Sequence, residues 1–591
     1  MRELNYWTKR ANGRISRRGM LRGSAVGVAG LAGAALIGCG SNDEASDGDS
    51  GSSSSSGSSS SSSSGSSSSS SGGSDPAPAT GLTDATLTSA IASDIGSGDP
   101  QSLGGTGGGN WPNYEVHFGH TGMLGRDQDS RALVGNVAES WEEAPDHMSW
   151  VYKIRQDVLF HNGEQVTAED VKFSMDRGAL GQAEYNPEYK GGHSSQYVSR
   201  VSDAEILDDF TVKFNMISPD VIFPTRNFYL VPKAHIEAVG DVDFAESPIG
   251  AGQFKFVSRV PDSEIVSERF DDYFGTLEQP APAGNHLPYI KHLVQKVIPD
   301  NQARFAALQA GEVDLIDKIS PDIANQLAGD DKFKVHYLPG TQPMHIHINT
   351  TLETDPDTGE PNPWRDPRVR KAANLAVDLD SIVANILTGQ ERPSFGSNTA
   401  SFGFPQDLAS QRWGYDVAEA KKLMKAAGYE DGFDAVVNLP VGRWPNSRQI
   451  SEIVAQSLSE IGITTRIQEL QYQEVTTRIK DDSLYPLVFW GMAGGDDPGA
   501  NFSYGYHSSG NYTMSVPEPQ VDEWIDAAAA EFDPEARADL IGKIISKFYL
   551  DAQWIFLYEP IQIVATTNKW DWTFWGQTLG NPEYWNMRPI V

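Results

Sequence analysis

From about residue 81 to the C-terminus, apolar runs of strand length interchange with apolar stripes at helical spacing. Val151-Tyr152-Lys153-Ile154, the run Leu293 to Ile298, and Leu487-Val488-Phe489-Trp490 predict strands. Asp366-Pro367 predicts a helix start, with a capping carboxylate before a proline at the first helical position, and Val369, Ala373 and Ala376 then share one face. Val417, Ala420, Leu423, Met424 and Ala427 form a second stripe stopped by Gly428; Ile450, Ile453, Val454, Ser457, Leu458 and Ile461 form a third stopped by Gly462. Such alternation predicts an α/β fold with helices on the faces of sheets. About 510 residues of this texture exceed what one core supports, so two lobes are expected. No repeat at a solenoid or propeller period is present.

The N-terminal part differs in kind. From Gly40 to about Thr80 the chain is Ser, Gly and a few acids, which predicts a flexible coil spanning roughly 5–6 Å × √n for n residues. Before it stand a basic stretch, an uncharged run from Gly23 to Gly38, and Cys39, the order of a signal peptide. The uncharged run is shorter than the ~20 residues a membrane-spanning helix needs and is diluted by glycine. Ser16-Arg17-Arg18-Gly19-Met20-Leu21 resembles the twin-arginine export signal, with Met20 where Phe is commoner. Leu36-Ile37-Gly38-Cys39 resembles a bacterial lipobox, which implies a lipidated Cys39 at the mature N-terminus. The resemblances imply a protein folded before export and anchored by lipid on the outer face of the cytoplasmic membrane, with residues 39–81 as leash.

Charge narrows the partners. The chain carries 46 Lys and Arg against 79 Asp and Glu, a formal charge of −33. Residues 1–38 hold seven basic residues and one acidic residue, so the remainder stands at −39. Such a surface repels phosphate backbones, and nucleic-acid binding is excluded. Hydrophobic residues at 39% suffice for a packed core. A single cysteine, Cys39, leaves no intramolecular disulfide and no cysteine metal site.

Catalytic patterns are absent from the sequence. There is no Gly-x-Ser-x-Gly elbow, His-Glu-x-x-His or Walker loop. The glycine-rich stretch 104–109 lacks the lysine of a phosphate loop and reads as an ordinary loop. His117 with His120, and His345 with His347, are spaced to share a face, but surface or hydrogen-bonded histidines are the commoner reading, and no metal site is predicted. The pair Asp496-Asp497, before Pro498 and among glycines, reads as a turn rather than an acid–base dyad. Neither enzyme function nor a cofactor is expected.

One family accounts for the order of motifs. Leu133-Val134-Gly135-Asn136-Val137-Ala138-Glu139-Ser140-Trp141 runs into Trp150-Val151-Tyr152-Lys153-Ile154-Arg155, then Val158-Leu159-Phe160-His161-Asn162-Gly163-Glu164 and Val166-Thr167-Ala168-Glu169-Asp170-Val171. Locally this predicts two strands joined by an Asn-Gly turn and a helix capped by Thr167. The stretch Pro248 to Phe256, Ala306 to Asp314, Asp366 to Ala372, Ala426-Ala427-Gly428-Tyr429, Trp490-Gly491 with Asp497-Pro498, and Trp554 to Tyr558 follow in order. Together they resemble bacterial extracellular solute-binding proteins of the peptide/nickel type, family 5, over nearly all of residues 82–591.

The resemblance implies a two-lobed periplasmic-binding-protein fold (type II) joined by a hinge. Lobe 1 would hold 82–345 with an extra subdomain near 125–222, lobe 2 would hold 346–557, and 558–591 would return to lobe 1. It implies a monomeric substrate-binding component of an ABC importer, which closes on a small solute and hands it to a permease and ATPase complex. A secreted hydrolase or a signalling receptor on the same fold is the alternative. For the site, the resemblance points to Trp490 as a cleft aromatic, to Tyr558 or Glu559 at the returning crossover, and to His345, His347 and Asn349 on the first crossover. Peptide-binding members keep an aspartate four residues before the loop proline to pair with the ligand's ammonium. Gly494 stands there instead, with Asp496 and Asp497 displaced. An ammonium buried without an anion is costly. The departure therefore implies either a rearranged loop or a solute without a free amine, with sugars, modified peptides and chelated metals all open.

Overall fold

The computed structural model describes residues 77–591 except 93, 96, 103–120, 128–131, 180–185, 187, 190–197, 199, 227–228, 357, 493–494, 511 and 573–581. Arg17, Arg18, Cys39, the 104–109 stretch, His117, His120 and Gly494 lie outside the described residues.

Two sheets organise the chain. The seven-stranded sheet runs Phe333–Pro339, Ile561–Thr567, Leu315–Ile316, Thr86–Ile91, His292–Val297, Glu264–Arg269, Phe254–Val260. Its centre is parallel, with Thr86–Ile91 between Leu315–Ile316 and His292–Val297. The five-stranded sheet runs Ile463–Leu470, Phe433–Pro440, Leu487–Gly491, Met344–Ile348, Trp554–Phe556. Phe433–Pro440 is parallel to both its neighbours, and Met344–Ile348 is antiparallel to both of its own. A separate four-stranded antiparallel sheet, Ala138–Glu143, Ser149–Ile154, Thr211–Met216, Val201–Asp208, forms the extra subdomain around its own core of Phe160, Val171, Phe214 and Val212.

The local chemistry explains the elements. Helix Pro367–Ala376 starts where the Asp366 carboxylate accepts from the Arg368 amide at 2.8 Å, and buries Val369, Ala373 and Ala376. Helix Val417–Ala427 is capped by Asp416, which accepts from the Glu419 amide, and ends at Gly428 with φ of +88°. The third stripe forms helix Ser447–Ser459, which stops short of Gly462. Thr167 opens helix Ala168–Ser174, its amide and hydroxyl both donating to Asp170 Oδ2 at 3.0 and 2.9 Å. The Asn162-Gly163 turn differs from expectation. Gly163 takes φ of +85°, but the turn closes a single bridge, Leu159 to Gln165. Ser149–Ile154 pairs instead with Ala138–Glu143 and Thr211–Met216.

The chain passes between the two large sheets at residues 340–343 and returns at Pro560. Phe333–Pro339 edges the first sheet, and Met344–Ile348 lies inside the second; on the return, Tyr558–Glu559 pairs with Arg392–Pro393 before Ile561–Thr567 enters the first sheet. The passages touch. The Gly340 amide donates to the Pro560 carbonyl at 2.9 Å, and a Cβ on Gly340 would stand 2.9 Å from Pro560 Cγ, so a side chain there would push them apart. The extra subdomain packs on helices Pro519–Ala530 and Pro534–Leu550 near their junction: the His147 ring stacks on Phe532 at 4.0 Å, and the Val221 amide donates to the Ala529 carbonyl.

Candidate functional site

In sheets whose central strands run parallel, ligands gather at the carboxyl ends of those strands. Both large sheets turn these ends towards the crossing segments, because Leu315–Ile316 runs antiparallel to Ile561–Thr567 and so heads towards the start of that strand, next to Pro560, and Gly491 lies beside Met344. The carboxyl edge of the second sheet carries an aromatic cluster. Trp490, on strand Leu487–Gly491, is 5% exposed. Tyr472, just after strand Ile463–Leu470, lies parallel to it with ring centroids 5.6 Å apart and planes at 11°. Trp444, after strand Phe433–Pro440, meets Trp490 at 5.6 Å and 69°, and Tyr512 lies at 6.0 Å. Gly491 makes room for this: a Cβ there would sit 3.0 Å from both Met344 Sδ and Trp444 Nε1. The Arg443 guanidinium lies against two of these rings, 4.8 Å from the Tyr472 ring centroid and 5.4 Å from that of Trp444. Cation–π contact of this kind orients a guanidinium beside an aromatic wall.

The other proposed positions fall in three places. Asp496 and Asp497 stand on the loop beyond the cluster, each beside an arginine. Arg126 Nε lies 3.3 Å from Asp496 Oδ2, and Arg537 forms a two-pronged pair with Asp497 at 2.6 and 2.9 Å. Asp497 also accepts from the Gly499 amide. Tyr558 lies at the return crossing, 4% exposed, and lines a recess with Gln342, Met344, Glu391, Trp444 and Pro560. Burial, with Glu391 nearby, raises its pKa, so it stays a neutral hydroxyl. That recess holds about 40 Å³, little more than one water molecule, and is too small for a peptide as it stands. The Glu559 carboxylate accepts from the Thr399 amide and hydroxyl, and burial raises its pKa.

His345, His347 and Asn349 do not face the cleft. The histidines alternate on a central strand and point to one side, as the spacing requires, but that side is the core. His345 stacks flat on Trp554 at 3.8 Å, His347 meets it edge-on at 4.7 Å, and both are at most 1% exposed. Burial lowers the pKa of each, that of His347 to about 3, and His347 adds to the lowering at His345. Asn349 lies past the opposite end of its strand, donating to the Leu484 carbonyl at 2.7 Å and accepting from Thr351. Among the described residues no group of three or more His, Cys, Asp or Glu could hold a metal.

Arg443, Trp444 and Tyr472 escaped the sequence reading. Their signal was available: Gly442-Arg443-Trp444-Pro445 and Gln471-Tyr472 closely follow the segments that become the parallel strands Phe433–Pro440 and Ile463–Leu470.

The profile of bacterial extracellular solute-binding proteins, family 5 (middle region), matches residues 132–514. The glutathione-binding protein GsiB of Pectobacterium atrosepticum is 23% identical over 479 residues, covering 76% of this chain and 84% of that one. In structure, the periplasmic binding protein DppA of Helicobacter pylori in complex with the peptide STSA superposes with a TM-score of 0.73 at 21% identity, over 86% of this chain and 98% of that one. The binding protein AgaA of A. tumefaciens R10 in complex with agropinic acid gives 0.70 at 22% identity, over 85% and 99%. These structural likenesses establish the two-lobed fold. With a family profile spanning more than half its length, this chain belongs to the bacterial extracellular solute-binding proteins of family 5.

Proposed function

We propose that this substrate-binding component of an ABC importer captures a small organic acid with a flat or apolar part, and that it does so without an anchor for a free α-ammonium. The aromatic wall carries the reading: Trp490, Tyr472 and Trp444 offer ring surface at low entropy cost, and Arg443 sits on that wall as a fixed cation for an acid group. The paired state of Asp496 and Asp497 supports the second half, since each carboxylate that could replace the family's aspartate already faces an arginine. Glutathione, a peptide and agropinic acid, named for the relatives above, all bear carboxylates. A modified peptide or a sugar-derived acid satisfies both conditions. Tyr558 and Glu559 are proposed as the hinge-side border of the site. The protein works as a monomer, closes its lobes on the solute and releases it chemically unchanged.

The family is extracellular, and on that ground we propose export by the twin-arginine route through Arg17 and Arg18, followed by lipid anchoring at Cys39. Several acyl chains at ~0.8 kcal/mol per buried methylene hold a protein on a membrane. Cys39→Ser should move the protein from the membrane fraction to the soluble extracytoplasmic fraction; unchanged membrane retention would remove the anchor.

Native mass spectrometry of the protein as purified, then thermal-shift screening of acids and their amides, tests the binding reading. Trp490→Ala should weaken the acid so found by about tenfold, near 1.4 kcal/mol. Unchanged affinity would take Trp490 out of the site.

A further inference from the structure

The extra subdomain lies in the chain between Thr86–Ile91 and Phe254–Val260 of the first sheet. Helices Pro519–Ala530 and Pro534–Leu550 belong to the other body: Ile525, Ala528, Ile541 and Ile544 share one buried core with Ile346, Val488 and Ile555 of the second sheet. The two nevertheless meet. Their contact is made by residues remote in sequence from the passages at 340–343 and Pro560, so it joins the lobes without a covalent link.

At its centre is a ring in an acidic turn. Glu531-Phe532-Asp533 links the two helices, and Asp533 caps the second by accepting from the Ala536 amide at 2.8 Å. A phenylalanine left in water between two carboxylates costs free energy, and here it is covered from the other lobe. It packs against the subdomain core, with the His147 ring stacked on it at 4.0 Å and 16° and the Trp150 ring at 6.5 Å. His147 stands in the turn that joins Ala138–Glu143 to Ser149–Ile154, its Nδ1 held 2.5 Å from Glu143 Oε1. The Val221 amide donates at 2.9 Å to the Ala529 carbonyl, one of the four that a helix ending at Ala530 leaves without an internal partner. Arg200, which also donates to Ser218 Oγ, pairs with Asp526 at 2.7 Å. Arg126 and Asp496 extend the join to the loop that follows Trp490.

These contacts are unequal. Asp526 is 61% exposed, and an ion pair in that setting contributes little. Ring packing and the satisfied helix carbonyl exclude water, and both are lost when the lobes separate. Neither Phe532, His147 nor Val221 lines the recess beside Tyr558. We propose that the extra subdomain is a clasp on the second lobe: Phe532 seats in it only when the lobes are together, so the closed state is stabilised by a contact that the solute never touches. This goes beyond the acid-binding reading and does not depend on it. The solute's own contacts decide which molecule is held, while the clasp adds the same increment for every solute and prolongs closure.

The test needs no solute. Full-length protein carrying Cys39→Ser, Arg200→Cys and Asp526→Cys has thiols only at two clasp positions, and a short bismaleimide bridges them when the lobes meet. The rate of bridging reports the population of the closed state. Adding Phe532→Ala should slow it about fivefold. Adding His147→Asn instead removes the facing ring with a residue that tolerates the φ of +60° there, and should slow bridging by a similar factor. The two together should slow it by little more than either alone. Phe532→Tyr, which keeps the ring, should restore the parent rate. Bridging unchanged by Phe532→Ala overturns the proposal. So does a loss from Phe532→Ala that His147→Asn does not share, which confines the role of Phe532 to its own helices. A parent protein that forms no bridge counts against it equally, because the lobes then do not meet at this place.

Discussion

At the residue scale, environment decides what each side chain can do. His345 and His347 carry no charge at neutral pH, because burial against Trp554 penalises the imidazolium. The sign follows from linkage. With the folded pKa of His347 near 3 and an ordinary value near 6.5, the unfolded chain binds the proton first. The stability contribution is complete above pH 6.5 and is lost progressively as pH falls towards 3, by about 2 kcal/mol at pH 5. His347→Leu should therefore lose less stability than wild type between pH 7 and 5 in denaturant titrations; parallel curves would contradict the buried neutral state. These histidines also mark the limit of sequence reading. Alternation fixes that they share a side, but period two does not say which side is core, and a bulky Trp554 from a distant segment settles it. Trp490 was legible as an aromatic at a strand end. Tyr472 and Arg443 were legible as residues just after strand segments, but that they join the Trp490 cluster depends on how three loops converge.

At the element scale, caps and strand runs were the most legible features, since their causes lie within a few residues. Asp366 and Gly428 act where the spacing places them. The Asn162-Gly163 turn shows the reverse: its glycine adopts the expected conformation, but pairing partners come from Ala138–Glu143 and Thr211–Met216, and only tertiary contact selects them. The loop after Trp490 is held similarly by distant groups. Arg537, 6% exposed on helix Pro534–Leu550, grips Asp497 and donates through Nε to the Ala528 carbonyl. Arg537→Met strands that carboxylate and should cost roughly 3 kcal/mol. Adding Asp497→Asn should recover part of the loss in a double-mutant cycle, and strict additivity would show that the pair is not coupled.

At the scale of the whole molecule, two sheets with their strand ends facing a shared pair of crossings provide a gap whose walls belong to different lobes. A solute that touches Trp490 on one wall, as proposed, and the first-sheet edge on the other would draw its binding energy from both, so binding would favour the arrangement in which they are near. Two contacting passages at Gly340 and Pro560 restrict that movement to a narrow hinge. Small-angle scattering of the full-length protein, titrated with the solute recovered from it, tests this most directly. Lobe closure predicts a saturable fall in radius of gyration that is complete at one solute per chain. A radius that stays constant while the site fills would contradict it.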